Sequence, residues 1–184
     1  MTAPLPGGRS EPPTILETRR LALRLMTLDD DAFVRTLLNE PSFIRYIGDR
    51  GVRTLDDARR YIAEGPRASY ERLGFGLYVV EGRETRLPIG ICGLLKRDTL
   101  EHPDLGFAFL PRHWSQGYAF EAASGVLRYA RASLGIGRIL AITSPENDAS
   151  IRLLLRLGFT YEGTRRLSEG TPEVKVFAND GPTA

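Results

Sequence analysis

Apolar positions alternate in some stretches of this chain, run together in others and recur by turns elsewhere, and each pattern predicts an element. Ile15–Leu25 ends with Leu21, Leu23 and Leu25 on one face, the period of a first strand. Asp29, Asp30 and Asp31 then crowd a helix start, where carboxylates suit the dipole, and Phe33, Val34, Leu37 and Leu38 form its apolar face. A short helix is expected around Ser42–Ile47. Thr54, with Asp57 three residues on, opens another that carries Ala58, Tyr61 and Ile62 on one side. Gly65-Pro66 should break or kink it before Ala68–Leu73. Phe75–Glu81 (FGLYVVE) and Leu87–Leu95 (LPIGICGLL) are apolar runs joined by the polar Gly82–Arg86, which reads as a hairpin.

The stretch Asp104–Leu134 changes period halfway. Leu105, Phe107 and Phe109 alternate as in a strand, antiparallel to the run before it, and Pro111 ends the ladder. After Gly117, Ala119, Ala123, Val126, Leu127, Ala130 and Leu134 recur at helical steps. A helix start leaves backbone N–H groups unpaired, and Gly117 lets a ligand approach them, so the turn suits a phosphate. The same spacing also fits an ordinary strand-to-helix turn. No GxGxxG follows a strand and no GxxxxGK[ST] exists, which argues against a dinucleotide fold or a P-loop. Gly137–Thr143 reads as a buried strand parallel to the Asp104 strand, because a helix intervenes. Asn147–Leu157 is a second helix, with Asn147 suited as N-cap and Gly158 as its stop. Phe159–Gly163 and Glu173–Phe177 complete the strands. Two helix starts at the carboxyl ends of neighbouring parallel strands define a crevice, a usual ligand position. The element order predicts an α/β chain, one mixed sheet covered by helices, without repeat or linker.

Composition narrows the partners. The 184 residues are 42% hydrophobic and 26% charged with a net charge of +2, ordinary for a globular protein. The basic residues are arginines except for Lys96 and Lys175, and their spread favours a solvated surface over a nucleic-acid stripe. Cys92 lies in an apolar run and reads as a buried thiol in a reducing compartment. No apolar run reaches membrane-spanning length and no hydrophobic signal region precedes the first strand, so a cytoplasmic protein is expected. The Pro- and Gly-rich Met1–Pro13 reads as a flexible tail, residues 14–178 as one domain, and 179–184 as a second tail.

Three pieces then stand in order: LETRRLALRLM, LGFAFLPRHWSQGYAFEA and ENDASIRLLLRLGFTYEGT. Together they resemble the GNAT superfamily of acyl-CoA-dependent N-acetyltransferases, most closely its branch acetylating ribosomal-protein N-termini (the RimJ/RimL-like group). The resemblance implies a mostly antiparallel sheet whose one parallel strand pair is splayed around acetyl-CoA. It implies that the backbone at Phe109 and Leu110 binds the pantetheine arm and polarises the thioester carbonyl. The N–H groups of Gln116, Gly117, Tyr118, Ala119 and Phe120 should hold the pyrophosphate. Asn147 should contact the pantetheine, and Ser150 should lie near the sulfur. Trp114 stands where much of the superfamily has Arg or Gln, which removes one side-chain contact and leaves the backbone cradle intact. No metal is implied, and a homodimer is compatible with the family.

The implied reaction is direct attack of a neutral amine on the thioester. An α-amine of pKa near 8 costs about 1.4 kcal/mol to deprotonate at pH 7, against roughly 4.6 for a lysine near 10.4. A weak base or a water chain therefore suffices for an α-amine. Asp104 is the first candidate base and His102 the second, although both also fit exposed loop positions; Ser150 is the candidate donor to sulfur, or simply part of the helix cap. Glu121 is expected to support the helix and loop. The acceptor is either a protein N-terminus or a small amine, to be shaped by Pro41–Leu73. From another class comes the alternative of a non-catalytic acyl-CoA-binding or regulatory module.

Overall fold

The computed structural model describes residues 11–181. The expected first strand is in fact two, β1 (Thr14–Glu17) and β2 (Leu21–Arg24), folded back on each other about Thr18–Arg20. The Thr18 and Leu21 main chains close that turn, Thr18 N–H donating to the Leu21 carbonyl at 2.9 Å. The alternation of Leu21, Leu23 and Leu25 does not reveal this reversal, because it sits just before the alternating residues begin. Next come α1 (Asp31–Leu38), α2 (Pro41–Tyr46) and α3 (Leu55–Ile62). Thr54 and Asp57 form the reciprocal cap of α3, the Asp57 N–H donating to Thr54 Oγ1 at 3.1 Å and the Thr54 N–H to Asp57 Oδ2 at 2.9 Å. Pro66 does not break the chain here. It is absorbed by a wide turn, Ala63–Arg67, that leads directly into α4 (Ala68–Leu73).

The sheet continues through β3 (Leu77–Gly82), β4 (Pro88–Leu95) and β5 (Asp104–Phe109), followed by α5 (Tyr118–Leu134), β6 (Ile139–Thr143), α6 (Asp148–Arg156), β7 (Thr160–Arg166) and β8 (Glu173–Asn179). Its eight strands lie in the order β1-β2-β3-β4-β5-β6-β8-β7, and β5–β6 is the only parallel pair among the described residues. The unbroken apolar runs of β3 and β4 follow from helices on both faces. In β3, Leu77 and Val79 pack with Val34, Leu37, Phe43 and Ile62 of α1–α3, whereas Tyr78 and Val80 pack with Ala122, Ala123 and Val126 of α5. Adjacent residues of one strand thus serve opposite layers.

Two further pairings frame the sheet. Arg24, buried in β2, binds Asp30 Oδ1 at 2.8 Å and Glu81 Oε2 at 2.9 Å. Burial alone would lower its pKa, and the two carboxylates more than reverse that. Cys92 is fully buried, which pushes its thiol pKa up and leaves it a packing residue. Of the expected N-terminal tail, residues 1–10 lie outside those described, while Pro13 already accepts the Leu25 N–H at 3.0 Å. At the other end, Asn179 still belongs to β8 and caps α6 through its amide, 3.0 Å from the Leu157 carbonyl.

Candidate active site

β5 and β6 are paired only at their beginnings. The single paired position is Asp104 with Leu140, supported by the Leu140 N–H on the Pro103 carbonyl at 2.9 Å. Beyond it the two strands diverge, and a cleft of about 600 Å³ opens between Phe107–Phe109 on one side and Glu146–Ser150 on the other. The register against β4 settles which backbone groups face it. Leu110 N–H donates to the Ile89 carbonyl at 3.0 Å, and such bonds alternate along an antiparallel pair. Phe107 and Phe109 therefore turn their N–H groups away from β4 and into the gap. The Phe109 carbonyl is met by the Trp114 indole N–H at 2.7 Å, so the end of the open strand is pinned.

The helix starts differ in build. At α5 the chain turns through Ser115 (φ 59°) and Gly117 (φ 78°), both left-handed, which curls successive N–H groups inward. At α6 the Asn147 side-chain oxygen accepts the Ser150 N–H at 3.1 Å, leaving the Asn147 amide NH2 and the Ser150 hydroxyl as the groups able to meet a ligand. The α5 turn is held from outside by the β1–β2 reversal. Glu121 Oε1 accepts the Thr18 hydroxyl and the Arg20 N–H, each at 2.7 Å, and Arg20 Nε donates to Glu121 Oε2 at 2.7 Å. Arg20 Nη1 also donates to the Gln116 carbonyl at 3.0 Å, and its guanidinium lies 4.5 Å above the Tyr118 ring. Burial would raise the Glu121 pKa, but the bonds from Thr18 and Arg20 hold it below the usual carboxylate range.

Of the sequence-derived residues, Phe109, Gly117, Tyr118, Ala119, Phe120, Asn147 and Ser150 line this one cleft. Leu110 and Gln116 do not: Leu110 is buried with its N–H spent on β4, and Gln116 turns its carbonyl to Arg20 and its amide to the Arg112 carbonyl at 3.0 Å. Asp104 is at the wrong end. It stands where β5 and β6 still touch, five residues and roughly 16 Å of strand before Phe109. There it is buried and bound by Arg97 Nε at 3.1 Å; burial raises its pKa and Arg97 opposes that rise. His102 precedes it by two residues and is likewise off the cleft wall. The opening alternation of Leu105, Phe107 and Phe109 locates a strand but not which of its ends is open.

Several wall residues stand outside the set expected to bind the coenzyme. Arg152 and Arg156, one helical turn apart on α6, face the cleft, with Arg156 stacked 4.8 Å over the Phe120 ring. They give the α5–α6 half a positive character that suits phosphates. Across from it, α1, α2 and the residues that flank α2 supply Leu37, Glu40, Phe43, Tyr46 and Ile47. His113 lies between the halves; burial and then Arg112 lower its pKa, and its Nε2 already accepts the Arg112 Nε–H at 3.1 Å. Among the described residues, no three His, Cys, Asp or Glu side chains gather as a metal site. The wall does fit a thioester with a diphosphate tail: an open strand edge, a glycine-led helix start and cations beside it.

Comparison with known proteins agrees with this geometry. A family model described as an acetyltransferase (GNAT) domain matches residues 20–160. An uncharacterised N-acetyltransferase of Bacillus subtilis, YoaA, is 33% identical over 86% of this chain and 91% of its own. The fold is shared with an acetyltransferase from Agrobacterium tumefaciens (TM-score 0.77, 24% identity, 97% of this chain and 99% of that one). It is shared equally with RimL, a ribosomal L7/L12 α-N-protein acetyltransferase solved with coenzyme A (TM-score 0.77, 17% identity, 91% and 98% covered).

Proposed function

Since the chain belongs to the GNAT acetyltransferase family, we propose how its cleft performs acetyl-CoA-dependent N-acetylation and on what kind of amine. The observation that carries the reading is the divergence of β5 from β6 after one paired position, which leaves the Phe107 and Phe109 N–H groups facing open space. The pantetheine arm completes that strand edge. The Phe109 N–H donates to the thioester oxygen as negative charge develops on it, the role of an oxyanion donor. The amides from Gly117 to Phe120 hold the pyrophosphate at the α5 start, with Arg152 and Arg156 facing the phosphates. Gln116 contributes by tethering that turn to Arg20.

The amine enters from the α1–α2 side, its nitrogen attacks the carbonyl carbon, and the C–S bond breaks. The Ser150 hydroxyl donates to the leaving sulfur, with the Asn147 amide on the arm beside it. An α-amine is the proposed acceptor, because its deprotonation near neutral pH costs only about 1.4 kcal/mol. Ribosomal-protein acetylation by RimL supports the same class. We place the protein in the cytoplasm on its lone buried thiol. A homodimer remains an expectation, checked by sedimentation equilibrium.

The test measures thiol release from acetyl-CoA against peptides with free N-termini and against small amines, beside acetyl-CoA binding by calorimetry. Turnover with the peptides is expected. Tight binding without turnover of any amine would instead establish the binding-module alternative, and turnover of small amines alone would remove the α-amine assignment.

A further inference from the structure

We infer that Glu40 is the proton acceptor of the acetyl transfer and that the acceptor carries a single ammonium beside an apolar group; this rests on the acetyltransferase reading above. Glu40 occupies the junction of α1 and α2 on the cleft wall and is half-buried. Among the described residues no cation or hydrogen-bond donor reaches its carboxylate. Its flanking residues fix where it sits. Leu37 before it and Phe43 after it belong to the same core cluster as Ala108 and Leu110, and both line the cleft together with Phe107–Phe109 at the open end of β5. That is the end at which the Phe109 N–H awaits the thioester oxygen.

The other ionisable groups of the cleft are differently engaged. Glu146 is exposed and paired with Arg45 at 3.4 Å, and Asp148 is exposed in the first turn of α6 on the opposite wall. His113 has its Nε2 occupied by Arg112, Tyr46 lies under the Arg45 guanidinium and Tyr118 under that of Arg20, and Arg152 and Arg156 belong to the phosphate half. A free carboxylate among Leu37, Phe43, Tyr46 and Ile47 is therefore the feature an amine meets on entry. One such group matches one positive charge, and the apolar surround matches a carbon side chain next to it. A polyamine would need further free carboxylates along its length, whereas Glu146 is taken up by Arg45 and Asp148 lies at the exposed α6 start. The ammonium gives one proton to the Glu40 carboxylate before attack; as the C–N bond forms the nitrogen becomes strongly acidic, and its second proton passes through solvent to the thiolate as the C–S bond breaks, the departing sulfur being hydrogen-bonded by the Ser150 hydroxyl.

The experiment compares the full chain with Glu40→Gln and Glu40→Asp, using a dipeptide amide with an apolar first residue and spermidine as acceptors. Glu40→Gln is expected to lower kcat about a hundredfold, the typical worth of a general base, with acetyl-CoA affinity within twofold. Glu40→Asp should recover part of the rate. The Gln deficit should narrow above about pH 8, where the α-amine is already neutral. Unchanged kcat in Glu40→Gln overturns the proton-acceptor role alone, and preference for spermidine overturns the acceptor class. If the unaltered chain binds acetyl-CoA and turns over no amine, the acetyltransferase reading itself falls, which is a distinct result.

Discussion

The two walls of the cleft are built on different principles. The α5–α6 wall works chiefly through main chain, the N–H groups of β5 and of the α5 start, shaped by Gly117 and braced from behind by Arg20 and Glu121, with the Asn147 and Ser150 side chains added at the α6 start. The α1–α2 wall works through side chains, with Leu37, Phe43, Tyr46 and Ile47 around Glu40. A backbone cradle accepts any molecule with the right phosphates and tolerates drift in the surrounding side chains. A side-chain wall changes its preference with every substitution. The donor side is thus the half less sensitive to substitution and the acceptor side the more sensitive one.

The harshest way to break this division is Gly117→Val. At φ 78° a β-branched residue costs roughly 3 kcal/mol, and its Cβ would stand 3.4 Å from Arg20 Nη2. Acetyl-CoA affinity should fall about a hundredfold by calorimetry, leaving the KM for amine unchanged. Retained affinity would mean that the α5 start does not bind the phosphates.

A milder cut is Arg20→Ala, which removes the brace without touching the cradle. The KM for acetyl-CoA should rise about tenfold, or roughly 1.4 kcal/mol, again with the amine KM unmoved. The brace is also pH-dependent. Glu121 has a depressed pKa in the folded protein, so its contribution is complete above the unfolded value of about 4.3 and is lost as pH falls through the folded one. Glu121→Gln should flatten the acid side of the stability curve in thermal melts; an unaltered acid limb would exclude it as the group responsible.

The smallest catalytic effect is expected at Asp104, at the closed end of the same strand. Asp104→Asn should cost about 1–3 kcal/mol of stability by weakening its bond to Arg97, while kcat per folded molecule stays within twofold. A selective loss of kcat would return Asp104 to the chemistry.

The contrast also explains what could be read from the chain beforehand. Gly117, Pro111 and the Asn147–Ser150 cap act within a few residues of themselves, so their spacing announces the cradle and the two helix starts. The hairpin reversal at Thr18–Arg20 is local too, but its purpose is not: its partner Glu121 is 101 residues further on, and no periodicity records a contact of that span. The same holds for Asp104. Its place at the head of a strand is legible, whereas the direction in which β5 and β6 part depends on pairing with Leu140. Glu40 escapes notice because a lone acidic residue before a short helix resembles any solvated position until the fold sets it on the wall of the same cleft as Phe107–Phe109.

The strand order has a bearing on how the molecule is made. β8 is inserted between β6 and β7, so β6 lacks its outer neighbour until Glu173–Asn179 have been synthesised. Everything from β1 to β5, with the α1–α2 wall, has its partners earlier. Half of the cleft can therefore assemble during translation, and the half carrying α6 has to wait for the closing strand. A chain stalled before Glu173 would present β6 as a bare, apolar edge, the part of this fold most exposed to mispairing.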